Sequence, residues 1–130
     1  MIKMKGKLLE LGTVDTCNRM FAEDCNIKFP EMIPVVNGAY EPFDKDYQII
    51  GNCCVSRDGN VLTGDVSIYG DYENCVPYKK EYISGYYTMV EVCTNSDGIR
   101  VVSEANLHHI SIIPLSVSAD ESLYLEKVGE

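Results

Sequence analysis

The stretch "NVLTGDVSIYG" narrows the fold of this chain more than any other. Leu62, Gly64, Val66 and Ile68 fall on one side of an extended backbone and Thr63, Asp65, Ser67 and Tyr69 on the other, the period of a half-buried β-strand. It follows "GNCCVSRDGN", whose Asp58-Gly59 pair supplies the positive φ angles of a tight hairpin turn. The same grammar recurs where "YYTMVEVC" and "IRVVSEAN" flank "TNSDG", with Asp97-Gly98 at the turn. Two hairpins make four antiparallel strands, and a chain with that much local pairing builds a sheet-based core.

Further strand signals lie in "GKLLELGTV", "HISII" and "SLYLEKV", the last readable also as a short helix led by Ser118 or Asp120. Helix is otherwise expected only around "RMFAEDCNI", where Asp15 or Thr16 would be the N-cap. At 130 residues there is room for one core. The expectation is a mainly β protein: a single antiparallel β-barrel-like or sandwich domain over residues 1–130, with six or seven strands and one or two short helices.

Composition closes off several functions. Eleven Lys and Arg stand against twenty Asp and Glu, a formal charge of −9, and no basic run could track a phosphate backbone, so nucleic acid is not an expected partner. "MIKMKGKLLELG" begins basic but has no apolar core of signal-peptide length, and no apolar run is long enough to span a bilayer, so neither export nor a membrane is expected. The six cysteines (Cys17, Cys25, Cys53, Cys54, Cys75, Cys93) contain no CxxC pair, and adjacent Cys53 and Cys54 point to opposite faces of a strand. Free thiols are therefore expected, with no metal and no cofactor.

The only histidines, His108 and His109, are neighbours in "NLHHISIIPL". On a regular strand with Ile110 and Ile112 facing the core, His108 shares their face and His109 shares the other with Ser111 and Ile113. Diverging rings cannot chelate one ion, so the expectation is one histidine packed in or near the core and one at the surface. Two loops, "NGAYEPFDKDYQ" (37–48) and "GDYENCVPYKKEY" (70–82), combine tyrosine, proline and charge. They make Tyr40, Phe43, Tyr47, Tyr72, Tyr78 and Tyr82 the candidate binding residues.

The order of these pieces resembles the phage prohead (capsid maturation) protease family, whose fold is similar to that of the herpesvirus assemblin. The resemblance is carried by "GTVDTCNRMFAEDCNIKFPEMIPVV", by "IIGNCCVSRDGNVLTGDVSIYG" and by "YISGYYTMVEVCTNSDGIRVVSEANLHHISIIPLSVSADES", which together span nearly the whole chain. It implies a serine nucleophile at Ser84 in "YISGYYT" and a third catalytic member in "EANLHHIS", at His108 or Glu104. The family's general-base histidine follows the "PVV" strand, but here "PVVNGAYEP" has Gly38 and Ala39 there. A serine hydroxyl without a base within reach is a poor nucleophile.

What the resemblance implies is therefore a non-enzymatic structural protein of a tailed phage. It would be an auxiliary or decoration protein of the virion capsid, assembled in the host cytoplasm and bound to the major capsid protein or another virion protein, with self-association as a further option. The alternative is an active capsid maturation protease using Ser84 with His108 or His109. A second alternative is an unrelated small phage β-protein that binds and inhibits a host factor.

Overall fold

A computed structural model describes residues 1–129. Eight strands follow one another: β1 (Ile2–Glu10), β2 (Arg19–Lys28), β3 (Met32–Asn37), β4 (Ile49–Asp58), β5 (Val61–Ile68), β6 (Lys80–Thr94), β7 (Arg100–Ile113) and β8 (Tyr124–Lys127). The helical content is two short 3-10 turns, Gly70–Cys75 and Leu115–Val117. Around the sheet the order is β7-β3-β4-β5-β1-β8-β6, and β6 pairs back with β7, so seven strands close a barrel. Closure gives each of those seven strands a partner on both sides, although β6 meets β8 only over Lys80, Glu81 and Tyr82.

Both hairpins form, but only the glycine of each Asp-Gly pair takes a positive φ: Asp58 is the last paired residue of β4, opposite Val61, and the second connection is a five-residue loop between Thr94 and Arg100. Gly59 (φ 62°) turns β4 into β5 and Gly98 (φ 79°) turns β6 into β7, each in the left-handed region that favours glycine. The β5 alternation is reproduced, with Leu62, Gly64, Val66 and Ile68 buried and Thr63, Asp65 and Tyr69 exposed. The sheet is not wholly antiparallel, however: β2 and β3 both run parallel to β7, side by side on the same edge of that long strand.

The helix expected around "RMFAEDCNI" is strand β2. Its Phe21 and Cys25 are both buried four residues apart, which reads as a helical period. The spacing comes instead from an irregularity: Phe21 pairs with Val102 and Asn26 with Glu104, so residues 22–25 oppose Ser103 alone. Nor does Asp15 cap a helix. Its carboxylate accepts from the backbone N–H of Cys17 (2.8 Å) and Arg19 (3.1 Å) in a turn, while the Thr16 hydroxyl donates to the Ala119 carbonyl. The excursion is held from outside by Arg57, whose guanidinium donates to the carbonyls of Cys25 (2.7 Å) and Glu23 (3.3 Å). "SLYLEKV" forms strand β8, and Asp120 serves a turn before it by accepting from Ser122.

The core gathers aliphatic side chains from every strand, among them Met4, Leu8, Ile33, Ile50, Leu62, Ile68, Ile83, Leu107, Ile110 and Leu125. The barrel is narrowest in hydrogen bonding at the four-residue β8, which joins β1 to β6. There Gly6 pairs with Leu125, and a Cβ on Gly6 would be driven into the Tyr124 carbonyl oxygen. Glycine is required because that neighbour is backbone and cannot turn aside. Gly6→Ala is therefore expected to lower stability by about 1–3 kcal/mol, read as a shifted urea midpoint, with amide protection lost first at residues 124–127. An unchanged midpoint would show that the β1–β8 seam carries no strain-sensitive contact.

Candidate functional site

The candidate site lies on the outer face of the β6–β7 pair. Ser84 pairs with Ser111 and Tyr86 with His109, so these four side chains share one face in two consecutive rows. One row further along the register breaks: Tyr87 pairs with Leu107, which leaves His108 as the extra residue of a β-bulge. Leu107 and Ile110 can then both face the core although they are three residues apart.

The bulge corrects the expected placement of the histidines. His108 does not share the face of Ile110 and Ile112; it is exposed, and its Nε2 lies 2.6 Å from the Thr88 hydroxyl. His109 does share the outer face with Ser111 and Ile113, yet it is only 2 % exposed. The loop of residues 37–48 buries it. Tyr47 meets the imidazole edge-on at 5.6 Å between centroids, while Tyr86 stacks on it at 4.8 Å with 12° between the planes. Hydrogen bonds from Asn37 N–H to the Gln48 carbonyl (3.0 Å) and from Gly38 N–H to the Ile112 carbonyl (2.9 Å) close the base of the loop onto the barrel.

Burial sets the chemistry of that ring. Loss of solvent, joined by the neighbouring His108, pushes the His109 pKa down to about 4, and a backbone contact with Tyr40 opposes this more weakly. The imidazole is thus uncharged at neutral pH. Beneath the loop is a cleft of about 120 Å³ lined by Ala39, Tyr40, Glu41, Ser84, Gly85, Tyr86, His109 and Ser111.

The structure thus brings Ser84 and His109 to one small cleft and excludes their companions from it. Ser84 is diagonal to His109 across the ladder, a relation that places the two residues about 7–8 Å apart. Among the described residues no hydrogen bond joins Ser84 to either histidine; His108 is engaged with Thr88 instead. Glu104 pairs with Glu91 and meets Lys28 at 3.8 Å, seven positions along β7 from Ser111 (111 − 104), or roughly 23 Å at the rise of a strand. Ala39, on the stretch where the resemblance would put a base, does line the cleft, but it offers only a methyl group.

The candidate binding residues divide into two sets. Phe43 stands 78 % exposed at the loop tip, on a turn fixed by Asp44 N–H to the Glu41 carbonyl (2.9 Å) and Glu41 N–H to the Asp44 carboxylate (2.8 Å). Tyr40 is exposed beside it, whereas Tyr47 is turned down onto His109. In the second segment, Tyr72 packs against the core and Tyr78 is 70 % exposed, its N–H held at 2.8 Å by the carboxylate of buried Glu81. Burial holds that carboxyl above the usual carboxylate range. Tyr82 continues the outer face past Ser84 and, with Tyr78, Lys80, Ile113, Pro114 and Leu115, lines a groove of about 510 Å³. Lys80 Nζ lies 4.1 Å from the Tyr124 ring centroid and 5.4 Å from that of Tyr82.

The roles of Ser111, Glu81 and Lys80 were not expected from the sequence. Ser111 alone had a readable signal, since it alternates with His109. All six cysteines are free, and among the described residues no three His, Cys, Asp or Glu side chains gather as a metal site. Among the described residues no helix is long and apolar enough to cross a membrane. No family model matches the chain, and neither a curated protein nor a solved structure was found to match it.

The stacked imidazole gives a direct test of this geometry. In a carbon-13 NMR titration His109 should change protonation near pH 4. Tyr47→Ala, by readmitting water, should move that midpoint up toward the ordinary value of 6.5. A midpoint already near 6.5 in the unmodified protein would mean that the loop does not bury the ring.

Proposed function

We propose that this protein is a non-enzymatic binding module: an auxiliary or decoration protein of a tailed-phage capsid, built on a barrel like that of the prohead proteases and attached through its exposed aromatic loops. The observation that supports it is the use made of His109. The one imidazole that shares a cleft with Ser84 is stacked on Tyr86, met edge-on by Tyr47, and makes no hydrogen bond to the serine. Its pKa of about 4 also makes it a weak proton acceptor at neutral pH. The ring works as an aromatic wedge under the loop, and what the loop then presents is Phe43.

An aromatic side chain on a hydrogen-bonded turn loses little conformational freedom when it enters a partner's pocket, which is the character of an interface anchor. Phe43 with Tyr40, and Tyr78 with the adjoining groove, are the anchors in this reading. The partner is the major capsid protein or another virion protein, which is the part of the reading that comes from the sequence resemblance. The acidity of the chain supports a place on the outer surface, away from packaged nucleic acid.

The second reading, an active maturation protease, draws on the same cleft, because Ser84, Ser111 and His109 do converge there. The two separate on mutation. In the binding reading, Ser84→Ala leaves particle assembly and capsid-protein length unchanged, while Phe43→Ala and Tyr78→Ala each weaken retention on particles at least ten-fold. Cleavage of a capsid precursor by the purified protein, abolished by Ser84→Ala and by His109→Ala, would establish the protease instead.

A further inference from the structure

The 37–48 loop is built as a hinged flap. Its base is pinned by the Asn37–Gln48 and Gly38–Ile112 hydrogen bonds, and Gly38 at φ 84° supplies the bend at one end. Its tip is rigid, because two consecutive turns, Glu41–Asp44 and Asp44–Tyr47, are closed by backbone hydrogen bonds of 2.9 and 3.1 Å. Between base and tip, its aromatic contact with the barrel is Tyr47 against His109, with Tyr86 as the floor. The flap covers a residue that strand geometry aims at solvent.

We propose that the Tyr47–His109–Tyr86 contact is a latch that holds this flap shut over His109 and Ser111, and that protonation of His109 releases it. An imidazolium needs hydrogen-bond acceptors and water, and here the one backbone hydrogen bond, to Tyr40 on the flap, is outweighed by the loss of solvent. The titratable groups facing the ring are His108 on its own strand, Tyr86 on β6, and Tyr40, Glu41 and Tyr47 on the flap. His108 repels a second positive charge. Glu41 lines the cleft but makes no ion pair with the ring. Swinging the flap aside rehydrates His109 without breaking the barrel, because β3 ends its pairing at Asn37 and β4 begins at Ile49.

The sign follows from the depressed affinity for protons. The open form, with an ordinary pKa near 6.5, binds a proton more readily than the closed form at about 4. The closed flap is therefore favoured above pH 6.5 and loses its advantage as pH falls toward 4, by at most roughly 300-fold at tenfold per pH unit. The latch is independent of whether the protein rides on capsids. It predicts that Phe43 is presented in one fixed position at neutral pH and that Ser111, buried under the closed flap, becomes accessible only in acid.

Hydrogen–deuterium exchange tests it, with intrinsic exchange rates divided out, comparing residues 38–48 with the β4–β5 hairpin between pH 7.5 and 3.5. The expected result is a loss of flap protection of ten-fold or more below pH 5 while the hairpin stays protected. His109→Phe, which keeps the stack but cannot be protonated, should hold the flap closed throughout. Tyr47→Leu should leave it open already at pH 7.5. The latch is overturned if the flap stays protected to pH 3.5, if flap and hairpin lose protection together, or if His109→Phe opens at the same pH as the unmodified protein.

Discussion

Everything in this molecule is arranged around one long strand, β7, which has three neighbours. Along one edge it pairs with β6 over almost its whole length; along the other it takes β2 beside its first half and β3 beside its second. A strand with two partners on one edge must bend between them, and the register breaks in β7 serve that purpose. The break at His108 also decides the chemistry of the outer face. It turns His108 out to Thr88 and leaves His109 facing outward beside Ser111, where a buried ring is possible only if another segment covers it. The 37–48 loop is that segment.

Aromatic packing, and not a hydrogen-bonded relay, then defines the site. Offset and edge-on ring pairs add only about 0.5–1.5 kcal/mol each beyond their burial, which suits a contact that must hold a loop yet remain separable from the barrel. The same contact dries the imidazole and keeps it uncharged. A nucleophilic serine needs the opposite arrangement, in which the ring turns toward the hydroxyl and a third group steadies it. Ser84 faces the same cleft and has neither.

The fold was legible where local chemistry is sufficient. The hairpins at Asp58-Gly59 and Asp97-Gly98 and the Leu62–Ile68 alternation are properties of a few adjacent residues, and each is present, with the positive φ confined to Gly59 and Gly98. What was not legible depends on pairing at a distance. The "RMFAEDCNI" stretch, with Asp15 or Thr16 as its expected cap, reads as helix, and only the pairing with β7, where residues 22–25 oppose Ser103 alone, shows that it is a bulged strand. His108 was assigned to the core side by simple parity, and a bulge inverts parity. Of the aromatic candidates, Phe43, Tyr40 and Tyr78 are exposed, while Tyr47 and Tyr72 turn inward. Composition cannot separate these two groups, because a tyrosine suits both an interface and a half-buried ledge.

The central claim is that Ser84 sits in a cleft whose imidazole is committed to packing, so the serine is not activated. A fluorophosphonate probe, which bonds covalently only to nucleophilic serines, tests it most directly. Incubated with the purified protein at pH 7–8 and followed by intact-mass spectrometry, it should leave Ser84 unmodified at a rate no greater than the other exposed serines. Stoichiometric labelling at Ser84, lost in His109→Ala, would contradict the account and show that His109 serves the serine as its base.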